Sequence, residues 1–186
     1  MLSEFQSTKF KHLFNLLDIN DNGIIQKNDF TLLAERVAPF VNGKIDSKAY
    51  NQLVYRGMTF YNRLIKSLEP SDPSRIGMHE WVKYIDKEII ESGDQDNLAE
   101  LTQLLLGFIF GLFDENHDGF LSLEEYQEIF QVLSIDDSKA SLLYEKLDSN
   151  SDDRLSRYEL VLAVEGFLTS DDPSELGNWI FGDYQS

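Results

Sequence analysis

The sequence predicts an all-α protein: four helix–loop–helix units, paired into two lobes that pack as one compact globule, with a short β-ribbon joining the loops of each pair. Three observations predict this. Helical apolar stripes alternate with acidic loops of twelve residues. The clearest loops, opening at Asp114 and Asp148, repeat after 34 residues, the spacing of two units facing each other. Finally, a chain of 186 residues that is 42% hydrophobic and 12% aromatic can bury a core rather than stay disordered.

In chain order, the apolar period places helices at 4–17, 27–38, 47–67 and 78–91, then at 97–113, 123–133, 137–147 and 157–168. The stripe Leu98, Leu101, Leu105, Phe108, Ile109, Leu112 precedes one loop, and Leu123, Tyr126, Ile129, Phe130, Leu133 follows it. The helix at 47–67 is long and aromatic, with Tyr50, Tyr55, Phe60 and Tyr61, and absorbs the wider spacing of the first two loops. The run Glu91-Ser-Gly-Asp-Gln-Asp96 breaks the pattern and divides the chain into lobes at 1–92 and 93–186. Beyond residue 168, Pro173 suits a first helical turn capped by Asp172. Leu176, Trp179, Ile180 and Phe181 are too apolar for water and are expected to plug the groove between the lobes.

The loops carry the chemistry. In 114–125, Asp114, Asn116 and Asp118 stand at positions 1, 3 and 5, and Gly119 stands at 6, where the chain turns with positive φ. Phe120 offers its carbonyl at 7, Ser122 an oxygen or a bridging water at 9, and Glu125 a two-oxygen carboxylate at 12. Leu121, at 8, pairs across the ribbon. Helix, acidic dodecapeptide, helix is the EF-hand pattern, which surrounds a hard divalent cation with oxygen. The loop at 148–159 repeats it with Asp148, Asn150, Asp152, the Arg154 carbonyl, Ser156 and Glu159; here Asp153 replaces glycine, at about 1 kcal/mol. The loop at 18–29 supplies Asp18, Asn20, Asn22, the Ile24 carbonyl, Gln26 and Asp29. Closing with the shorter Asp29, and holding only two carboxylates among its direct ligands, it favours Mg²⁺ or mixed Ca²⁺/Mg²⁺ binding. The fourth loop, 69–80, keeps Ile76 at the ribbon and Glu80 at the close. Glu69, Ser71 and Pro73 occupy positions 1, 3 and 5, and Ser74 the glycine position, so it is expected to be metal-free.

Composition narrows the remaining classes. A net charge of −17 and a pI near 4.4 disfavour nucleic acid and anionic membranes as partners. With no cysteine, disulfides, thiolate catalysis and sulfur-ligated zinc are excluded. His12, His79 and His117 share no helical spacing, and each good acidic cluster is already part of a loop, so no enzyme is expected. Met1-Leu2-Ser3-Glu4 lacks the basic and apolar regions of a secretory signal, and the run Leu104–Phe113 is about half a membrane span. The expected location is the cytoplasm.

Four hands with the second silent, Asp29 closing the first loop, and a tail reading Asn178-Trp179-Ile180-Phe181-Gly182 resemble the sarcoplasmic calcium-binding proteins and their bacterial relatives of the calerythrin type. The resemblance implies a two-lobed globule that buffers or transports Ca²⁺ without catalysis, and the three intact loops are expected to hold three ions per chain. The residues also favour a buffer over a sensor. Only Met1, Met58 and Met78 are present, none in the C-terminal lobe, whereas sensors open methionine-rich grooves. A sensor that exposes a groove to a target protein is the alternative; no target is specified by the sequence. A luciferin carrier with a cavity lined by Trp81, Trp179 and Tyr84 is a third class, less favoured than an ordinary core.

Overall fold

The computed structural model describes residues 1–40 and 47–182. The first hand is α1 (Glu4–Leu17), β1 (Ile24–Gln26) and α2 (Lys27–Val37); the second is α3 (Ser47–Leu68), β2 (Arg75–Gly77) and α4 (Met78–Tyr84). The third is α5 (Gln95–Phe113), β3 (Phe120–Leu121) and α6 (Leu123–Val132), and the fourth α7 (Ala140–Leu147), β4 (Leu155–Ser156) and α8 (Arg157–Thr169). Short side chains set the helix starts. Ser3 Oγ accepts from Gln6 N at 3.0 Å while Ser3 N donates to the Gln6 amide oxygen, a reciprocal cap on α1. Asp94 accepts from Asp96 N at 2.8 Å and starts α5.

The strands join the hands as the sequence requires. β1 and β2 pair antiparallel with Ile25 opposite Ile76, and β3 and β4 with Leu121 opposite Leu155. All four of these side chains have no exposed surface, so each ribbon is also a core element. A single hydrophobic core runs through the helices: Phe30 of α2 stacks with Phe60 and Tyr61 of α3 and with Phe108 of α5. Trp81 is fully buried and donates its indole N–H to the Phe10 carbonyl at 2.9 Å.

Three features depart from the expectation. The predicted helix 78–91 is α-helical only to Tyr84; residues Ile85–Glu91 form a π-helix, whose wider turns keep the four-residue spacing of Trp81, Ile85 and Ile89 on the buried side. α5, 19 residues with a mean hydropathy of 1.2, has the length and composition of a membrane span, although the apolar run alone was too short. It is a core helix, with Leu101, Leu105, Leu106 and Phe113 among its buried residues. In the tail, Pro173 lies in a turn closed by Ser174 N donating to Asp172 at 2.8 Å, and only the 3₁₀ turn Leu176–Trp179 follows.

The tail does fill the space between the N-terminal helix and the last two. Ile180 and Phe181 are buried, and Phe181 meets Phe167 of α8 edge to face at 5.1 Å. Leu176, expected to be covered, is half exposed, because the inward positions of its turn are taken by Gly177 and Asn178. Gly177 is there of necessity: a Cβ at that position would lie 2.2 Å from the Ala163 carbonyl. Polar groups then fasten the tail to α1. The buried Lys9 ammonium donates to the Ser170 carbonyl and, at 3.4 Å, to Asn178, and lies over the rings of Phe5, Phe10 and Phe167. Burial draws its pKa down to about 8, against the pull of Asp171 and Glu175. His12 Nε2 sits 2.9 Å from the Phe181 carbonyl.

Candidate metal centres

Three loops share one construction. The position-1 carboxylates Asp18, Asp114 and Asp148 are buried at the ends of α1, α5 and α7. One oxygen of each accepts from the position-5 amide, at 3.2 Å from Asn22, Asp118 and Asp152. The other accepts from the position-6 amide of Gly23, Gly119 and Asp153, at 2.7, 3.2 and 2.9 Å. Position 5 in turn accepts from the position-7 amide: Asn22 from Ile24 at 3.0 Å, Asp118 from Phe120 at 2.9 Å and Asp152 from Arg154 at 3.1 Å. These bonds wind the loop about a common point and leave the remaining side-chain lone pairs available.

The winding needs two left-handed residues per loop. Position 6 is one: Gly23, Gly119 and Asp153 have φ of 83, 82 and 62°. Asp153 therefore adopts the conformation that glycine would supply, as the sequence required of it. Position 4 is the other, with φ of 54, 58 and 57° at Asp21, His117 and Ser151. The template of ligands does not announce this requirement. His117 is exposed, as expected of position 4, and its Nδ1 lies 2.8 Å from the Asp114 carbonyl.

Closure differs in detail. Glu125 accepts from Ser122 N at 2.8 Å and Glu115 N at 3.0 Å; Glu159 accepts from Ser156 N and Ser149 N, both at 2.9 Å. Burial raises the Glu159 pKa, but the hydrogen bonds from Ser156 and Ser149 outweigh it and hold the carboxyl below the ordinary glutamate range. The hydroxyls of Ser122 and Ser156, offered by the sequence as ion contacts, cap α6 and α8 by accepting from Glu125 N and Glu159 N. Position 9 thus starts the outgoing helix and fixes the rotamer of the closing glutamate. In the first loop the shorter Asp29 is fully buried and accepts from Gln26 N at 2.8 Å, from Asn20 N at 3.3 Å and from the Asn20 amide at 2.7 Å. Burial raises its pKa, partly offset by the Gln26 and Asn20 bonds, and nearby Asp18 raises it further.

Two contacts across the C-terminal loops were not legible in the pattern. The Tyr144 hydroxyl lies 2.8 Å from the Asp153 carbonyl and 3.1 Å from the Leu121 carbonyl, so one group reaches both loops. Burial lifts its pKa to about 12, with Asp148, Asp153 and Asp152 adding to the effect. The Arg154 guanidinium stands 5.5 Å from the centre of the Phe120 ring, joining the two position-7 residues.

The loop at 69–80 is built otherwise. Glu69, Ser71, Pro73 and Ser74 are exposed, and positive φ occurs at Glu69 rather than at positions 4 and 6. Glu80 accepts from the Ser71 hydroxyl at 2.6 Å and from the Ser71 and Gly77 amides at 3.0 Å, which together hold its pKa low. Asp72 pairs with Arg75 at 3.1 Å. Glu80 is thus closed much as Glu125 and Glu159 are, and the loop differs at its front, where no buried carboxylate stands at position 1.

Among the described residues, no three acidic, histidine or cysteine side chains form a metal-holding group by themselves. Each intact loop instead joins its carboxylates to asparagine amides and main-chain carbonyls. That all-oxygen set fits a hard cation such as Ca²⁺ or Mg²⁺ and has no soft donor for zinc or copper.

No family model matches the chain. It is similar to the luciferin-binding protein of Renilla reniformis, 24% identical over 94% of this chain and 92% of that one. It is also similar to calerythrin of Saccharopolyspora erythraea, at 22% identity over 90% of this chain and 94% of that one. A sarcoplasmic calcium-binding protein from amphioxus has the same fold, with a TM-score of 0.77 and 21% identity, covering 98% of this chain and 99% of that one. The resemblance read from the loops and tail holds over nearly the whole chain, and the fold is the EF-hand fold.

Proposed function

We propose that this protein is a cytoplasmic Ca²⁺ buffer or transporter with three working sites, the first of which also takes Mg²⁺. The observation that carries the reading is the threefold recurrence of one loop geometry: a buried position-1 aspartate, left-handed residues at 4 and 6, and a closing acid at 12. Its ligands are Asp18, Asn20, Asn22, Ile24 and Asp29; Asp114, Asn116, Asp118, Phe120 and Glu125; and Asp148, Asn150, Asp152, Arg154 and Glu159, with the position-7 residues acting through their carbonyls. Three ions would bring the formal charge from −17 to roughly −11. Each saturated site adds stability by mass action, about 4 kcal/mol at a thousandfold excess over Kd. The names of calerythrin and the sarcoplasmic calcium-binding proteins support calcium as the ion.

One observation favours a second reading, a luciferin carrier: the similarity to the Renilla protein. Against it stands the interior. The apolar cavity among Leu13, Leu105, Phe108, Ile109, Ile129 and Phe181 measures about 20 Å³, whereas pockets for molecules of that size run to several hundred. Its closely filled core also supports the buffer over a sensor that opens a groove.

Calorimetric titration with Ca²⁺, repeated in excess Mg²⁺, tests the reading. Three sites are expected, with the first losing most of its heat to Mg²⁺. Equilibrium dialysis without calcium uptake would defeat it, and a coloured small molecule co-purifying with the protein would move the conclusion to the carrier.

A further inference from the structure

The helix α3 is the electrostatic exception of the molecule. Its 22 residues hold four of the chain's 16 basic residues, Lys48, Arg56, Arg63 and Lys66, and none of its 33 acidic ones. None of the four ion pairs among the described residues involves it. Arg56 donates to the Gly111 carbonyl, while Arg63 and Lys66 stand at the surface. From the far side Arg157 of α8 donates to Gln103 at 3.0 Å and brings a further positive charge to the same face.

These cations flank a trough between α3 and α5. Two recesses of about 170 and 240 Å³ share Arg63, Gln103 and Leu104 and therefore run into each other. The first is floored by Phe60 and Phe108, whose rings stack at 4.4 Å, and by the exposed Gly107. A Cβ at Gly107 would meet nothing within 4 Å, so this helical glycine leaves the floor open. The one acid lining the trough, Glu100, already accepts from the Ser67 hydroxyl at 3.2 Å. From Tyr55 to Lys66 the trough is about 16 Å long at the helical rise, the reach of about five extended residues.

We propose that the α3–α5 trough is a docking site for an acidic, apolar-anchored segment of a partner protein: its carboxylates on Arg56, Arg63 and Lys66, a leucine or aromatic side chain over Gly107. The charge selects the partner's sign, and the recessed apolar floor selects a peptide over a flat bilayer. The chain as a whole carries a net charge of −17 and repels an acidic partner, so attraction is confined to this strip. The inference is independent of the metal sites, since no loop ligand lines the trough.

The test is fluorescence anisotropy, in calcium and low salt, with a labelled peptide alternating glutamate with leucine and phenylalanine. The whole protein should bind it saturably, with affinity falling as salt rises, and should ignore the same peptide with lysine for glutamate. Gly107→Leu fills the floor without a clash, and Arg63→Glu reverses the charge; each should weaken binding about tenfold while calcium stoichiometry and circular dichroism stay unchanged. Arg63→Gln, a milder surface change, should weaken it severalfold. The proposal is overturned if the wild type does not bind the acidic peptide, if it binds the lysine peptide equally, or if any of the three variants retains full affinity. It is overturned too if phosphatidylglycerol vesicles bind and the same variants abolish that binding.

Discussion

The loops opening at Glu69 and at Asp114 close on the same residue type and share a ribbon position, yet they are wound differently before they close. Glu125 lies inside a loop whose first carboxylate is buried and whose fourth and sixth residues are left-handed. Glu80 accepts the same kinds of bonds as Glu125, from one hydroxyl and two amides, but closes a loop whose first residue faces water. Pro73 is the decisive difference. Proline at position 5 has neither an N–H for a position-1 carboxylate nor an oxygen for an ion. The ribbon does not depend on this difference, since β1 and β2 stay paired in register with Ile25 opposite Ile76, both fully buried. The ribbon and the winding of the loop are separable devices.

The largest effect that would expose this difference is chelation. Removing divalent ions should lower the melting temperature by well over ten degrees, given about 4 kcal/mol per saturated site. Amide exchange at Asp118 and Gly119 should accelerate sharply, while Ser71 and Gly77, held by Glu80, should change little. Uniform acceleration in both loops would break the comparison. Next, Asp114→Ala should abolish the 114–125 site and spare the one at 18–29, read as one ion fewer by titration. Glu80→Gln should leave the ion count unchanged. Rebuilding the 69–80 loop with Glu69→Asp, Ser71→Asn, Pro73→Asp and Ser74→Gly should add one ion; failure to add it would show that more than ligand chemistry separates this hand from the others.

Smaller effects sharpen the picture within the C-terminal pair. Asp153→Gly relieves the left-handed aspartate and should tighten the last site by about 1 kcal/mol, roughly fivefold. Tyr144→Phe removes the hydroxyl between the loops and should weaken both by a similar amount in titration, without changing stoichiometry. The smallest effect concerns acid. Hydrogen bonds from Ser71 and Gly77 depress the folded pKa of Glu80, so its contribution is complete above the ordinary glutamate pKa and disappears as pH falls through the lower folded value. The stability gap between wild type and Glu80→Gln, measured by urea denaturation, should therefore close on acidification.

What was legible in the sequence follows from chemistry that is local in the chain. Oxygen-bearing residues at alternate loop positions, and apolar residues at the eighth, specify the loop geometry and ribbon register without reference to anything distant. The different winding of 69–80 was legible for the same reason, because proline acts on its own backbone. The left-handed fourth position was hidden, since Asp21, His117 and Ser151 share no side-chain chemistry. The capping role of Ser122 and Ser156 was not legible, because a helix cap and a metal contact call for the same hydroxyl. Tyr144 and the π-helical turns at 85–91 depend on neighbours far away in sequence, and Leu176 faces water because Gly177 claims the close contact with α8.

The fastening of the tail bears on how the chain is made. Lys9 and His12 meet partners at Ser170, Asn178 and Phe181, more than 150 residues later. A chain emerging from the ribosome presents α1 well before its partners, with Lys9 and its phenylalanine neighbours lacking their covering until residues 170–181 have been made. Contacts this non-local form late and slow the final closure. Until then, that first helix is the segment most in need of a chaperone.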